Sequence, residues 1–413
     1  MITFLASIMK GVILAAGKGE DLLPLTAETP KALIPIMGKP LIVYQIEKLR
    51  EHGIVDITIV IGHLGDKIRD FLGSGENYGV KLRYVKQPPS KIGINEAIKM
   101  IIPYFKDESM FVLQHTDIMS DIGLITRTLN AMDNLGADMA IAVALQSQLA
   151  EFGVVTLDAQ GFLRHVYEEA EVREGNYVIA GTFVLTPAIF PYLEQGLPFN
   201  EAFNHYINDG GKVACGVWTE PWVDVGQPWD ILLANRLVLE TLTNTIIHPS
   251  ATIESNTQIT GPVIIQEGAT ILHGTVIRGP AYIGKNVFIG NNALIRKGVV
   301  IEEGSKIGMG SEIKGSTLMR GSNVSRLCFI GDSVLGENAT VHAGCVTVNK
   351  PKGTIRAILQ NKDVEVPLPK FGAVIGPHST LWPNITLLPG TIVDAKSELT
   401  PNQLVSGRIA KGN

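Results

Sequence analysis

The chain has 413 residues, 45% of them hydrophobic and 18% charged, with a formal net charge of -5 at pH 7. At about 150 residues per domain this length predicts two or three domains, and the composition is too apolar and too weakly charged for disorder. The slight acidity supplies no cationic field for phosphate backbones or anionic lipid, so neither nucleic acid nor membrane is an expected partner.

The start, Ile2 to Met9, is apolar but short and has no basic flank, so it reads as neither signal peptide nor span, and Met9 is an alternative start. Cys215, Cys328 and Cys345 form no CxxC pair or disulfide framework, which predicts a reducing, cytoplasmic compartment. Of 26 aromatic residues, 21 precede position 247, while 21 of the 43 glycines fall in the last 167 positions. Two architectures are expected, one over residues 9–240 and one over 246–413.

Residues 10 to 145 alternate apolar runs at 12–15, 57–61, 82–85, 110–113 and 139–143 with amphipathic stretches such as Pro40 to Glu51. This order predicts an α/β, Rossmann-like domain with a mostly parallel sheet and ligands at the carboxyl ends of its strands. The first loop, Leu14-Ala15-Ala16-Gly17-Lys18-Gly19, has two glycines that let backbone N–H groups approach phosphate. It lacks both the third glycine of GxGxxG and the GK[ST] of a P-loop.

The run from Leu14 to Thr26, then Pro30-Lys31-Ala32-Leu33-Ile34-Pro35-Ile36 and Lys39-Pro40-Leu41, resembles the signature of sugar-1-phosphate nucleotidylyltransferases. This group includes glucose-1-phosphate thymidylyltransferases, N-acetylglucosamine-1-phosphate uridylyltransferases and mannose-1-phosphate guanylyltransferases. The resemblance implies that a sugar 1-phosphate attacks the α-phosphorus of a nucleoside triphosphate and expels pyrophosphate. It places Leu14, Ala15, Gly17, Lys18, Gly19, Gln87 and Gly93 on the nucleotide and Gly153, Glu168 and Gly181 on the sugar. It makes Lys31, Asp117 and Asp224 catalytic, with both aspartates binding Mg²⁺, a hard cation suited to carboxylates and phosphate oxygens.

Departures from the family pattern are equally informative. Asp21 stands where the family loop carries an arginine for the triphosphate, and Tyr167-Glu168-Glu169-Ala170-Glu171 replaces an E-K-P motif whose lysine binds the sugar phosphate. Thr116 replaces a glycine, Ile94 a small or hydroxyl residue and Ile179 an asparagine. Two phosphate-binding cations are missing, which predicts attenuated or altered transfer.

A helix of about 12 residues is expected from Ile231. Isoleucine then occupies every sixth position from Ile247 to Ile313; the pattern is lost after Met319 and resumes as Ile375, Leu381, Leu387, Val393 and Leu399. A six-residue period fits a solenoid of short strands, three per coil, with glycine or asparagine at corners such as Asn286 and Asn291-Asn292. The pattern resembles the hexapeptide repeat of left-handed parallel β-helices, which implies homo-oligomerisation. The segment Lys350 to Lys370 reads as a solvated loop interrupting the coil. The stretches 325–332 and 340–349 resemble the acetyltransferase part of bifunctional uridylyltransferases, but Arg326 stands at or next to that family's general-base histidine, Phe329 matches its tyrosine and Thr340 its asparagine. Arginine cannot accept a proton at physiological pH, so acyl transfer is not expected.

The expected protein is thus a nucleotidylyltransferase of the archaeal bifunctional type, binding a nucleoside triphosphate and a sugar 1-phosphate. The rival reading is a non-catalytic paralogue that binds nucleotide or sugar nucleotide and regulates or scaffolds an active partner.

Overall fold

The computed structural model describes residues 9–91, 93–145, 153–167 and 177–410. The chain divides into two compact units: Met1–Lys18, Pro30–Leu33 and Pro40–Asp224 form the first, and Gly19–Thr29, Ile34–Lys39 and Val225–Asn413 form the second.

The first unit is built on a nine-stranded mixed sheet. Strands β1 (Lys10–Ala15), β2 (Asp56–Ile61), β3 (Lys81–Lys86) and β4 (Phe111–His115) run parallel, in the order β4-β1-β2-β3. A separate antiparallel ribbon pairs β5 (Ile118–Ser120) with the later Trp222–Asp224. Beyond β4 lie β6 (Met139–Leu145), β7 (Val154–Leu157), β8 (Leu163–Tyr167), β9 (Tyr177–Leu185) and β10 (Val213–Trp218), with β9 antiparallel to β4. The ribbon's second strand, Trp222–Asp224, is β11.

Alternation along the strands creates two apolar faces. Val12, Val60, Phe111 and Leu113 share one core with Phe105, Phe190, Phe199 and Phe203. Ile13, Ile57, Ile59 and Val112 share the other with Ile42, Ile46 and Leu49 of α1 (Leu41–Glu51) and Ile125 of α2 (Gly123–Leu135). The expected α/β class is what forms, because each sheet face buries its own helices.

The second unit is a parallel β-helix of three sheets. Ile247 pairs Ile265, Ile283 and Ile301 in succession, one residue per sheet facing a core that runs through Ile271, Ile289, Ile307, Ile295 and Ile313. Asn286 and Asn292 adopt positive φ at corners, as their placement predicts. The repeat does not dissolve after Met319; it slips. Ile301 pairs Leu318 and Ile313 pairs Ile330, each seventeen residues on instead of eighteen, so Leu318, Val324 and Ile330 carry the core forward.

Two further expectations change. The helix is α3, Asp230–Leu239, ten residues beginning one before Ile231. The 350–370 segment is more than a solvated loop: Arg356–Leu359 and Lys362–Glu365 form an antiparallel hairpin, and Ile355, Ala357, Leu359 and Val366 are buried.

The second unit also collects the two segments that precede α1. Met37 N–H donates to Asn235 Oδ1 at 2.8 Å, and Asn235 Nδ2 donates to Thr317 Oγ1 at 2.9 Å. Gly38 N–H donates to Glu302 Oε1 at 2.9 Å. Glu28 pairs with Lys396 and His378, and Gln360 Nε2 donates to Asp21 Oδ1 at 2.8 Å. Among the described residues no helix is long and apolar enough to cross a membrane, and the three cysteines are free and buried.

Candidate functional site

Leu14 and His115 are paired in the parallel register, so Ala16-Gly17-Lys18 and Thr116-Asp117 leave adjacent strands at the same carboxyl edge of the sheet. That edge is where an open α/β sheet binds ligands. Thr116 Oγ1–H donates to the Leu14 carbonyl, tying the two strand ends together. Asp117 Oδ2 accepts from Lys31 Nζ in a half-buried ion pair.

Burial alone would raise the Asp117 carboxyl, but the charges of Lys31 and His115 and its hydrogen bonds outweigh this and hold it below the usual carboxylate range. The opposite holds for His115, whose pKa burial pushes down, with Lys31 adding to this and Asp117 opposing it. The second aspartate arrives through the ribbon: Asp224 of β11 pairs with Ile118 of β5, the residue following Asp117. The Lys31–Asp117 ion pair and a second aspartate, Asp224, thus stand at neighbouring backbone positions. The two carboxylates suit Mg²⁺ in number and chemistry, since that ion takes one or two carboxylates plus phosphate oxygens.

The other expected residues are distributed as follows. Gln87 is buried, its backbone N–H bonded to Ile61 O at 2.8 Å and its Nε2 to Gly93 O at 3.0 Å, so those two positions do meet. Gly181 has φ 62°, and a Cβ there would lie 2.5 Å from Ile118 Cγ1 and 3.2 Å from His115 Cβ. Only glycine lets β9 pass this close to the segment carrying Asp117. Gly153 accepts from Ile179 N–H at 3.0 Å. Leu14, Ala15, Gly17 and Lys18 lie in the first unit, with open space where a Gly17 Cβ would stand, whereas Gly19 and Asp21 belong to the second. Glu168 and the rest of the 168–171 stretch lie outside the described residues.

Helix α1 adds two polar residues that motif reading misses. Gln45 is fully buried and Lys48 is 5% exposed. Burial pushes the Lys48 ammonium down to about 7, against an upward pull from Asp121. Their only sequence signal is two polar residues, three apart, among the buried positions of a helix that are otherwise apolar.

Residues 10–241 match the family model described as Nucleotidyl transferase, more than half of the chain. The chain belongs to this family. Residues 277–397 match a second model, the GMPPB C-terminal domain. As a member of the nucleotidyl transferase family, the chain is 34% identical over 414 residues to a Sulfurisphaera tokodaii protein named bifunctional sugar-1-phosphate nucleotidylyltransferase/acetyltransferase, covering 98% of this chain and 99% of that one. It is 31% identical to a Methanococcus vannielii bifunctional protein GlmU, covering 98% and 96% respectively. A solved Bacillus anthracis chain, described as a glucose-1-phosphate thymidylyltransferase, superposes with a TM-score of 0.51 at 25% identity over 55% of this chain and 94% of that one. These relatives place the chain in the sugar-1-phosphate nucleotidylyltransferase family.

Proposed function

We propose that this protein is a Mg²⁺-dependent sugar-1-phosphate nucleotidylyltransferase whose transfer is attenuated or directed to an altered substrate. The observation that carries the reading is the convergence of Lys31 on Asp117 with Asp224 one ribbon position away. Asp117 and Asp224 would hold Mg²⁺, which when bound would offset negative charge on the reacting phosphates. The Lys31 ammonium, fixed beside them, would attract the same phosphates and orient the α-phosphorus for attack. The open first loop at Gly17 would let backbone N–H groups approach the triphosphate. Gln87, braced by the Gly93 carbonyl, would present its side-chain amide to the base.

The reduction follows from charge. Asp21 supplies a carboxylate where the family has an arginine, and it already accepts from Gln360. That same arrangement favours the second reading, a non-catalytic paralogue. Acyl transfer in the β-helix would have to use His342, whose ring stacks on Trp382 at 4.6 Å, because Arg326 cannot serve as base. We read the protein as cytoplasmic and the β-helix as its self-association element.

The test is pyrophosphate release with Mg²⁺ across dTTP, UTP, GTP, CTP and ATP against glucose-, mannose-, glucosamine- and N-acetylglucosamine-1-phosphate. Turnover on one pair supports the enzyme. Silence on every pair, with nucleotide or sugar nucleotide still bound, supports the paralogue, and acetyl-CoA consumption with glucosamine-1-phosphate would support acyl transfer.

A further inference from the structure

The residues flanking Asp117 are held from behind by α1. Gln45 Nε2 donates to the Ile118 carbonyl at 2.8 Å and to the Thr116 carbonyl at 3.2 Å, the two backbone acceptors on either side of Asp117. Lys48 Nζ, one turn further along the same helix face, donates to Ile118 O at 3.0 Å, Ser120 Oγ at 3.1 Å and Gln45 Oε1 at 3.2 Å. An ammonium has three donors and meets three acceptors here, so the cluster is saturated. Thr116 Oγ1 closes the frame on the other side through Leu14 O. Because Ile118 is also the partner of Asp224 in the ribbon, the same buried pair of side chains holds the strand against which Asp224 is registered.

We infer that Gln45 and Lys48 are positioning residues that fix the Asp117–Asp224 pair in its metal-binding arrangement. Neither touches substrate; both act through the Thr116–Ser120 backbone. The inference rests on the proposed metal role of the two aspartates and adds to it the part of α1. The physical need is clear: a divalent ion shared by two carboxylates loses affinity when either backbone drifts, and groups supporting metal ligands are typically worth about 10–100-fold in affinity.

The test is Mn²⁺ binding to the full-length protein, read from loss of the free-ion EPR signal, in wild type, Asp224→Ala, Gln45→Met, Lys48→Met and Ser120→Ala. The two Met substitutions keep side-chain length while removing the donors. Ser120→Ala removes one of the three acceptors of Lys48 and leaves the other two. Circular dichroism and thermal unfolding report whether each variant folds. Expected are loss of the site in Asp224→Ala, about tenfold or greater weakening in Gln45→Met and Lys48→Met, and a smaller weakening in Ser120→Ala. Wild-type affinity within twofold in a folded Gln45→Met or Lys48→Met overturns the inference; if neither folds, wild-type affinity in Ser120→Ala does so. Mn²⁺ binding that survives Asp224→Ala instead overturns the metal reading itself.

Discussion

Glu302 offers a quantitative prediction about the second unit. The side chain is 4% exposed, and its Oε1 accepts from Gly38 N–H at 2.9 Å. Burial raises its pKa from 4.5 to about 7; the Gly38 hydrogen bond opposes this and the charge of Glu303 adds to it. A folded pKa above the unfolded one means that the native state binds more protons between those two values. Stability from this group is therefore complete below pH 4.5 and falls as pH rises to about 7. At 1.36 kcal/mol per unit the loss is about 3 kcal/mol. Glu302→Gln keeps the acceptor for Gly38 and removes the titration. The variant should match wild type near pH 4 and exceed it by about 3 kcal/mol at pH 8.5 in urea unfolding, read as paired differences so that other titrating groups cancel. A difference that stays the same at both pH values would refute the reasoning.

Two substitutions test the site. Lys31→Ala removes the cation that holds Asp117 low, so kcat/KM should fall by about 10²–10³-fold and the acid limb of its pH profile should move to higher pH; an unmoved limb would detach Lys31 from Asp117 in the reaction. Asp21→Arg exchanges an anion for a cation at the family's phosphate-binding position. An exposed unit charge near a phosphate is worth about 1 kcal/mol after screening, so the expected gain in kcat/KM is about tenfold. No gain would argue against Asp21 as a brake on transfer.

Much of this fold is written in local patterns. Apolar runs gave the parallel strands within a residue or two, and an isoleucine in every sixth place marked the β-helix core up to Ile313. The six-residue pattern breaks after Met319 because a coil shortened by one residue shifts register while keeping its chemistry, with Leu318, Val324 and Ile330 continuing the core. Polar contacts between distant positions leave no such trace. Gly38 meets Glu302 and Asp21 meets Gln360 across hundreds of residues, so nothing periodic announces that Gly19–Thr29 and Ile34–Lys39 belong to the second unit. At the candidate site, motif order marked Lys31, Asp117 and Asp224. Gln45 and Lys48 carry no motif because what sets them apart is that they face two particular carbonyls, a matter of tertiary register rather than residue type.

The central claim is that the Asp117–Asp224 pair serves nucleotidyl transfer. It is tested most directly by measuring Mg²⁺-dependent pyrophosphate release on the best nucleoside triphosphate and sugar 1-phosphate pair for wild type and Asp224→Ala. The account predicts measurable release by wild type and a loss of about 10²-fold or more in the variant. Release that is undiminished in a folded Asp224→Ala would contradict it.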